Sequence, residues 1–284
     1  MSTRADVRIV DGTDPTTAGR SYLPGMGKNW LTPFFDAFVG LIGMRGRYAR
    51  TAELAGVRDG ESVLDVGCGT GSLLMAVLDT APGAKVTGLD PDPRALEIAA
   101  RKLRRARRKG TLVRGFADRL PADDDSVDHV LSSLALHHVP ERDRAAFARE
   151  VARVLRPGGK VTILDMGGGE PGPGHHPDGA DRTDDAAARP GGQDHGAGHG
   201  HPGLSHLLGH LAAPLRHRGR RSTVIAANLG DGIPRLLTEA GLEQAREVAH
   251  EDWPMGRLTY VQAGLRQRGP ASLAQPRPVT RPGS

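Results

Sequence analysis

The run Val63-Leu64-Asp65-Val66-Gly67-Cys68-Gly69-Thr70-Gly71 concentrates more chemistry than any other stretch of the chain. An apolar strand ends in an acidic turn, three glycines follow at alternate positions, and the helical pattern Ser72–Leu78 begins at once. Glycine lets the backbone turn tightly and approach a ligand that a Cβ would push away. A glycine loop between a strand and a helix, at the carboxyl edge of a parallel sheet, binds nucleotide-like ligands. The spacing is G-x-G-x-G, not the G-x-G-x-x-G of dinucleotide-binding sheets. About 20 residues later a second strand pattern, Val86-Thr87-Gly88-Leu89-Asp90-Pro91, ends in a carboxylate. One carboxylate accepts from both hydroxyls of a ribose diol, which is the physical reason for Asp90 there. A third acidic residue stands in Gly115-Phe116-Ala117-Asp118. His137 and His138 follow the strand pattern Val127–Ser132, and imidazole is suited to taking a proton from an oxygen or nitrogen nucleophile. Adjacent side chains diverge, so one of the two is expected to face a site.

Alternating strands and helices must hold these groups. The patterns predict strands over Ser62–Val66, Lys85–Leu89, Thr111–Phe116, Val127–Ser132 and Lys160–Asp165. Between them they predict helices over Ser72–Asp79, Pro93–Lys109 (closed by Gly110) and Arg142–Leu155. A helix over Ile233–Ala240, capped by Gly241, and strands over Gln244–Ala249 and Arg257–Gly264 complete the set. Such alternation implies a doubly covered, mostly parallel α/β sheet. The expected layout is a flexible amino terminus (1–24), a helical cap (25–56) and a first core segment (57–166). A Gly/His-rich insertion (167–221), a second core segment (222–266) and a disordered tail (267–284) follow.

Together these features resemble the class I S-adenosylmethionine-dependent methyltransferases, in the small-molecule branch close to the quinone-biosynthesis, or type 11, enzymes. The resemblance is strongest over Val63–Asp165. It implies a Rossmann-like sheet of seven strands with the long insertion after the fifth, S-adenosyl-L-methionine as cofactor, and methyl transfer to a small organic acceptor. It implies that Asp65 orients the glycine loop (Gly67, Gly69, Gly71) and the amino end of the ligand. Asp118 is implied to accept from the adenine amino group. Pro91, Ala117 and Ser133 belong to the same motifs, with the end of Val130–Ser133 lying along the methionine part. His137 and His138 would face the acceptor as candidate general bases.

Departures narrow the chemistry. Ser132-Ser133-Leu134-Ala135 stands where nucleic-acid amino methylases carry an Asp/Asn-Pro-Pro-aromatic run. The single cysteine, Cys68, lies inside the glycine loop, which argues against cysteine-dependent arsenite or cytosine-C5 methylation. Ser132 replaces the Asp that metal-dependent catechol methylases place there, and no metal site is assigned.

The chain has 284 residues, 38% apolar and 4% aromatic, so its core rests on Leu, Val, Ala and Ile. No basic-then-apolar leader and no run of about 18 apolar residues is present, and one cysteine suits a reducing compartment, so a cytoplasmic protein is expected. The insertion holds eight of the twelve histidines but no complete ligand set. The basic run Arg101–Lys109 lacks an aromatic platform and reads as a solvated helix face rather than a nucleic-acid surface. Tyr22, Lys28 and Trp30 precede the first apolar helix pattern, Leu31–Ile42, and related enzymes close such a segment over the cofactor. The rival readings are a nicotinamide-dependent oxidoreductase and a non-catalytic protein binding the cofactor or RNA. A monomer or homodimer is expected.

Overall fold

Four strands carry the glycine loop and the acidic residues. Their residues are buried in near-continuous runs, as a parallel sheet covered on both faces requires. In the computed structural model, which describes residues 6–13, 43–167, 228, 230–253 and 256–267, these strands lie side by side and parallel. The elements in chain order are β1 (Val7–Asp11), α1 (Met44–Ala55), β2 (Ser62–Val66), α2 (Ser72–Thr80), β3 (Lys85–Asp90), α3 (Pro93–Arg105) and β4 (Gly110–Arg114). They continue with β5 (Val127–Ser133), a 3-10 turn (Leu136–His138), α4 (Glu141–Val154), β6 (Leu155–Met166), α5 (Gly232–Glu239), β7 (Glu243–Trp253) and β8 (Gly256–Gly264).

The sheet order is β1-β4-β3-β2-β5-β6-β8-β7, with β8 antiparallel to both its neighbours. It has eight strands where seven were expected. The extra one is β1, taken from the segment read as a flexible terminus. Its backbone pairs with β4 from Val7 opposite Gly110 to Asp11 opposite Arg114. Only Val7 on this strand is buried, so its side chains give almost no amphipathic signal.

Alternate residues feed two cores. Val63, Leu131, Leu164 and Tyr260 pack with α1, α2 and α3 on one face. Leu64, Val130, Ile163 and Val261 pack with α4 and α5 on the other. On α4 the buried residues Phe147, Val151 and Val154 recur at helical spacing.

Several boundaries differ from expectation, β7 among them, which runs to Trp253 rather than Ala249. Helix α3 stops at Arg105 instead of reaching Lys109. Arg107 takes the left-handed conformation (φ 55°), and the Arg108 N–H closes on the Leu103 carbonyl while Arg107 N–H reaches Arg104. This is a Schellman closure with arginine in the glycine position. Gly110 therefore opens β4 rather than capping the helix, and β4 ends at Arg114 rather than Phe116. Between β5 and β6 the register jumps, Val127 facing Leu155 and His129 facing Lys160, so Arg156-Pro157-Gly158-Gly159 bulges from the ladder.

The expected helix Leu31–Ile42, the residues Tyr22, Lys28 and Trp30, the insertion histidines and the tail beyond Gln267 lie outside the described residues. Among the described residues no helix is long and apolar enough to cross a membrane. Part of the basic run is used internally. Lys102 donates to Thr70 and Ser72, Arg104 to the Val7 carbonyl, and Arg108 pairs with Asp79.

Candidate active site

Parallel strands bring their carboxyl ends to one edge, and the candidate residues collect there because each lies at or just past a strand end. Asp65 is the penultimate residue of β2, Asp90 the last of β3, Ser133 the last of β5 and Asp165 the penultimate residue of β6.

The glycine loop follows β2. Gly67, Gly69 and Gly71 all have positive φ (75°, 51° and 77°). A Cβ on Gly67 would collide with the Cβ of Ala135, where the chain leaves β5. At Gly69 the same atom would meet open space, so there the left-handed backbone alone demands glycine. The loop is stitched to β3. Gly67 and Cys68 donate to the Leu89 carbonyl, at 2.8 and 3.0 Å, and Gly69 donates to Asp90 Oδ2 at 2.8 Å. Helix α2 then starts from Gly71 without a side-chain cap.

Asp65 is 1% exposed, and neither carboxylate oxygen has a hydrogen-bond partner. Burial, and then the nearby Asp90 charge, push its pKa up to about 8. A buried carboxylate left unpaired in this way favours its neutral form, or a cation delivered to it. Asp90 is better satisfied, since Oδ1 accepts from Asp92 N–H and Oδ2 from Gly69 N–H. Burial still raises its pKa to about 6 against those two bonds. Each oxygen retains a lone pair, as a diol would require. Pro91 follows directly and Asp92 caps α3 through Arg94 N–H. Ser133 Oγ is a second buried polar group at this edge with no partner. Ala117 and Asp118 are half-buried in the segment after β4, whose entry is tied to β3 by Gly115 N–H donating to the Asp90 carbonyl.

Beyond β5 the chain turns through Leu134, a non-glycine residue at φ 53°, into the 3-10 turn that holds both histidines. The two differ sharply. His137 Nδ1 lies 2.7 Å from Asp165 Oδ1, and Asp165 is fully buried. Asp165 also accepts from the backbone N–H of Leu136, His137 and Met166, at 2.8, 3.2 and 2.7 Å. His138 is exposed as a residue and its ring sits 4.1 Å from that of His137, tilted by 43°. Desolvation of the ring by the surrounding turn, then the adjacent His137, lower its pKa to about 4. Arg144, on α4, is buried beneath the turn and donates to the Leu136 carbonyl and to the Asn228 side chain.

Sequence reasoning missed Asp165. The signal was available, because it ends a strand pattern as Asp90 does. Its partner, though, lies 28 residues away and is joined to it only by the fold. Among the described residues no group of three or more His, Cys, Asp or Glu is arranged to hold a metal ion.

Comparison with known proteins agrees with this geometry. Residues 63–159 match a family model described as a methyltransferase domain. A demethylmenaquinone methyltransferase of Lactobacillus johnsonii is 33% identical over 144 residues, covering 48% of this chain and 57% of that protein. The methyltransferase GfsG of Streptomyces halstedii is 39% identical over 112 residues, covering 39% of each. The chain thus spans between about two fifths and three fifths of the length of these relatives. The crystal structure of the YcgJ protein of Bacillus subtilis shares the fold, at a TM-score of 0.51 and 16% identity over 78% of this chain and 98% of that one. The glycine loop, the strand-end carboxylates and the family match converge on one conclusion: residues 63–159 of this chain are similar to a methyltransferase domain, set in a sheet that shares its fold with a solved Bacillus subtilis protein.

Proposed function

We propose that the protein transfers a methyl group from S-adenosylmethionine to a small organic acceptor. The observation that carries this reading is the pair of buried, unpartnered groups, the Asp65 carboxylate and Ser133 Oγ, at the same sheet edge as the glycine loop and Asp90. Such groups cost free energy unless a ligand satisfies them. Asp65 then receives the amino end of the cofactor and Asp90, with Pro91, the ribose. Ala117 and Asp118 take the adenine, and Ser133 lies beside the methionine portion. The cofactor supplies a methyl group on a good leaving group, so the protein's work is to align donor and acceptor and to exclude water. His137 is the candidate proton acceptor; His138, held neutral but exposed, is the weaker one. Two quinone-branch features support a small-molecule acceptor, namely the resemblance of the core motifs and the relatives named as demethylmenaquinone methyltransferases. The one cysteine is buried and free, which suits a cytoplasmic setting.

Calorimetry with S-adenosylmethionine, S-adenosylhomocysteine and NAD tests the site. Micromolar binding of the two adenosyl ligands, absent for NAD and lost in a folded Asp90→Ala variant, is the expected result. Folded wild-type protein that binds neither adenosyl ligand would end this reading, and NAD binding would replace it with an oxidoreductase.

A further inference from the structure

We infer that Lys102, on α3, is a positioning residue for the cofactor: its ammonium holds the side chains on either side of Gly71 and so keeps the glycine loop in the shape that receives the ligand. The inference rests on the methyltransferase reading above.

The loop needs support from outside. Gly67, Gly69 and Gly71 all take the left-handed conformation, and glycine has more backbone freedom to lose than any other residue. A run of such residues keeps one shape only where neighbouring elements hold it. Strand β3 holds the first part, through the Leu89 carbonyl and Asp90 Oδ2, and those bonds end at Gly69. The part from Thr70 to Ser72 is held from another direction, by α3.

Two residues of α3 make that contact, and their spacing of three puts them on one helix face. Ala99 is fully buried and lies so close that a Cβ on Gly71 would come within 2.9 Å of its own. Lys102 follows on the same face. Its Nζ donates to Thr70 Oγ1 at 3.0 Å and to Ser72 Oγ at 3.1 Å. Thr70 is 3% exposed, so water competes poorly for that charge-assisted bond. The pair of bonds does little for α2 as a helix. Its N-cap position is Gly71, which has no side chain to offer, and the hydroxyl oxygens flanking it are used by the ammonium. A cation beside a helix amino terminus also opposes the macrodipole. What Lys102 fixes is the path of the backbone between Gly69 and Ser72, opposite the side that β3 fixes. The rest of the basic run reaches elsewhere, Arg104 to the Val7 carbonyl and Arg108 to Asp79.

Amide hydrogen exchange by NMR and calorimetry, both on the full chain, test this. Lys102→Met keeps the apolar stem and removes the charge. The Gly69 and Gly71 amides should then exchange about tenfold faster or more, while Ile163 and Leu164 of β6 keep their rates. A merely structural role would instead speed exchange in the core strand as well. Affinity for S-adenosylmethionine and S-adenosylhomocysteine should fall about tenfold. The variant Thr70→Val/Ser72→Ala removes the same two bonds from the other end and should show the same pattern of exchange. Adding Lys102→Met to it should change affinity by less than about twofold. If Lys102→Met does not fold, the hydroxyl variant decides by its exchange rates. Unchanged exchange at the loop glycines, or equal acceleration in β6, overturns the inference. So does an affinity of Lys102→Met within about twofold of wild type, or an undiminished further loss when it joins the hydroxyl variant. Wild-type protein that binds neither adenosyl ligand would instead fail the methyltransferase reading, and the exchange rates would still report whether Lys102 holds the loop.

Discussion

Asp65 has two buried oxygens and no donor for either, and this has a measurable cost and use. With its pKa near 8 the carboxyl is largely neutral at pH 7 in the free protein. A cationic amino group bound beside it favours the ionised form, so binding must expel a proton. Cofactor affinity should then rise about tenfold per unit of pH between about pH 6 and about pH 7.5, below the ligand's own ammonium ionisation. Calorimetry in buffers of different ionisation enthalpy measures the proton released; flat affinity across this window would refute the account. The same group acts on stability with a definite sign. Its folded pKa lies above its unfolded value of 3.8, so its contribution is greatest below about pH 4 and declines as pH rises toward 8. Asp65→Asn should therefore raise the ligand-free melting temperature at pH 8 by a few degrees, while cofactor binding is lost. At this scale the residue types were legible in advance, since glycines and carboxylates follow strand patterns at regular places. Which histidine is held was not. His137 and His138 are chemically alike, and only the strand end carrying Asp165 distinguishes them.

At the level of elements, the glycine loop is constrained from two sides, by its own left-handed backbone and by the end of β5. Gly67→Ala meets both, a residue at φ 75° and a collision with Ala135. The combined cost should be about 2–4 kcal/mol, lowering the melting temperature by roughly 5–15 °C. Because Ala135 leads into the histidine turn, the shift should also displace His137. Differential scanning calorimetry with the His137 NMR signal checks both, and a melt within a degree of wild type would show that the two strand ends give way easily. Element types were readable because period-two and period-3.6 patterns survive in a single chain. Boundaries were less so. The end of α3 turned on Arg107 entering a conformation that arginine rarely adopts, where Gly110 was the obvious local signal. Closure of the last turn onto Leu103 and Arg104 fixes it instead.

For the whole molecule, β1 is the addition that lies farthest from the chemistry. It pairs only with β4, and two further strands, β4 and β3, stand between it and β2 with its glycine loop. Removing residues 1–12 should lower the melting temperature by a few degrees by exposing the β4 edge, and leave S-adenosylmethionine affinity within about twofold. A larger loss of affinity would mean that the amino-terminal segment shapes the site. No buried face marked this five-residue strand, whose Ile9 and Val10 are exposed with Arg8 and Asp11, because its place is set by backbone pairing with a neighbour about 100 residues away. By itself, then, the sequence determined the alternating elements, the α/β class, the glycine-loop motif and the carboxylates placed at the strand ends beside it. These follow from local backbone preference and from residue chemistry at fixed spacing. The tertiary structure alone decided the eighth strand, the left-handed turns at Arg107 and Leu134, and the pairing of His137 with Asp165. Each depends on contacts between segments far apart in the chain, and no local pattern encodes which segments will meet.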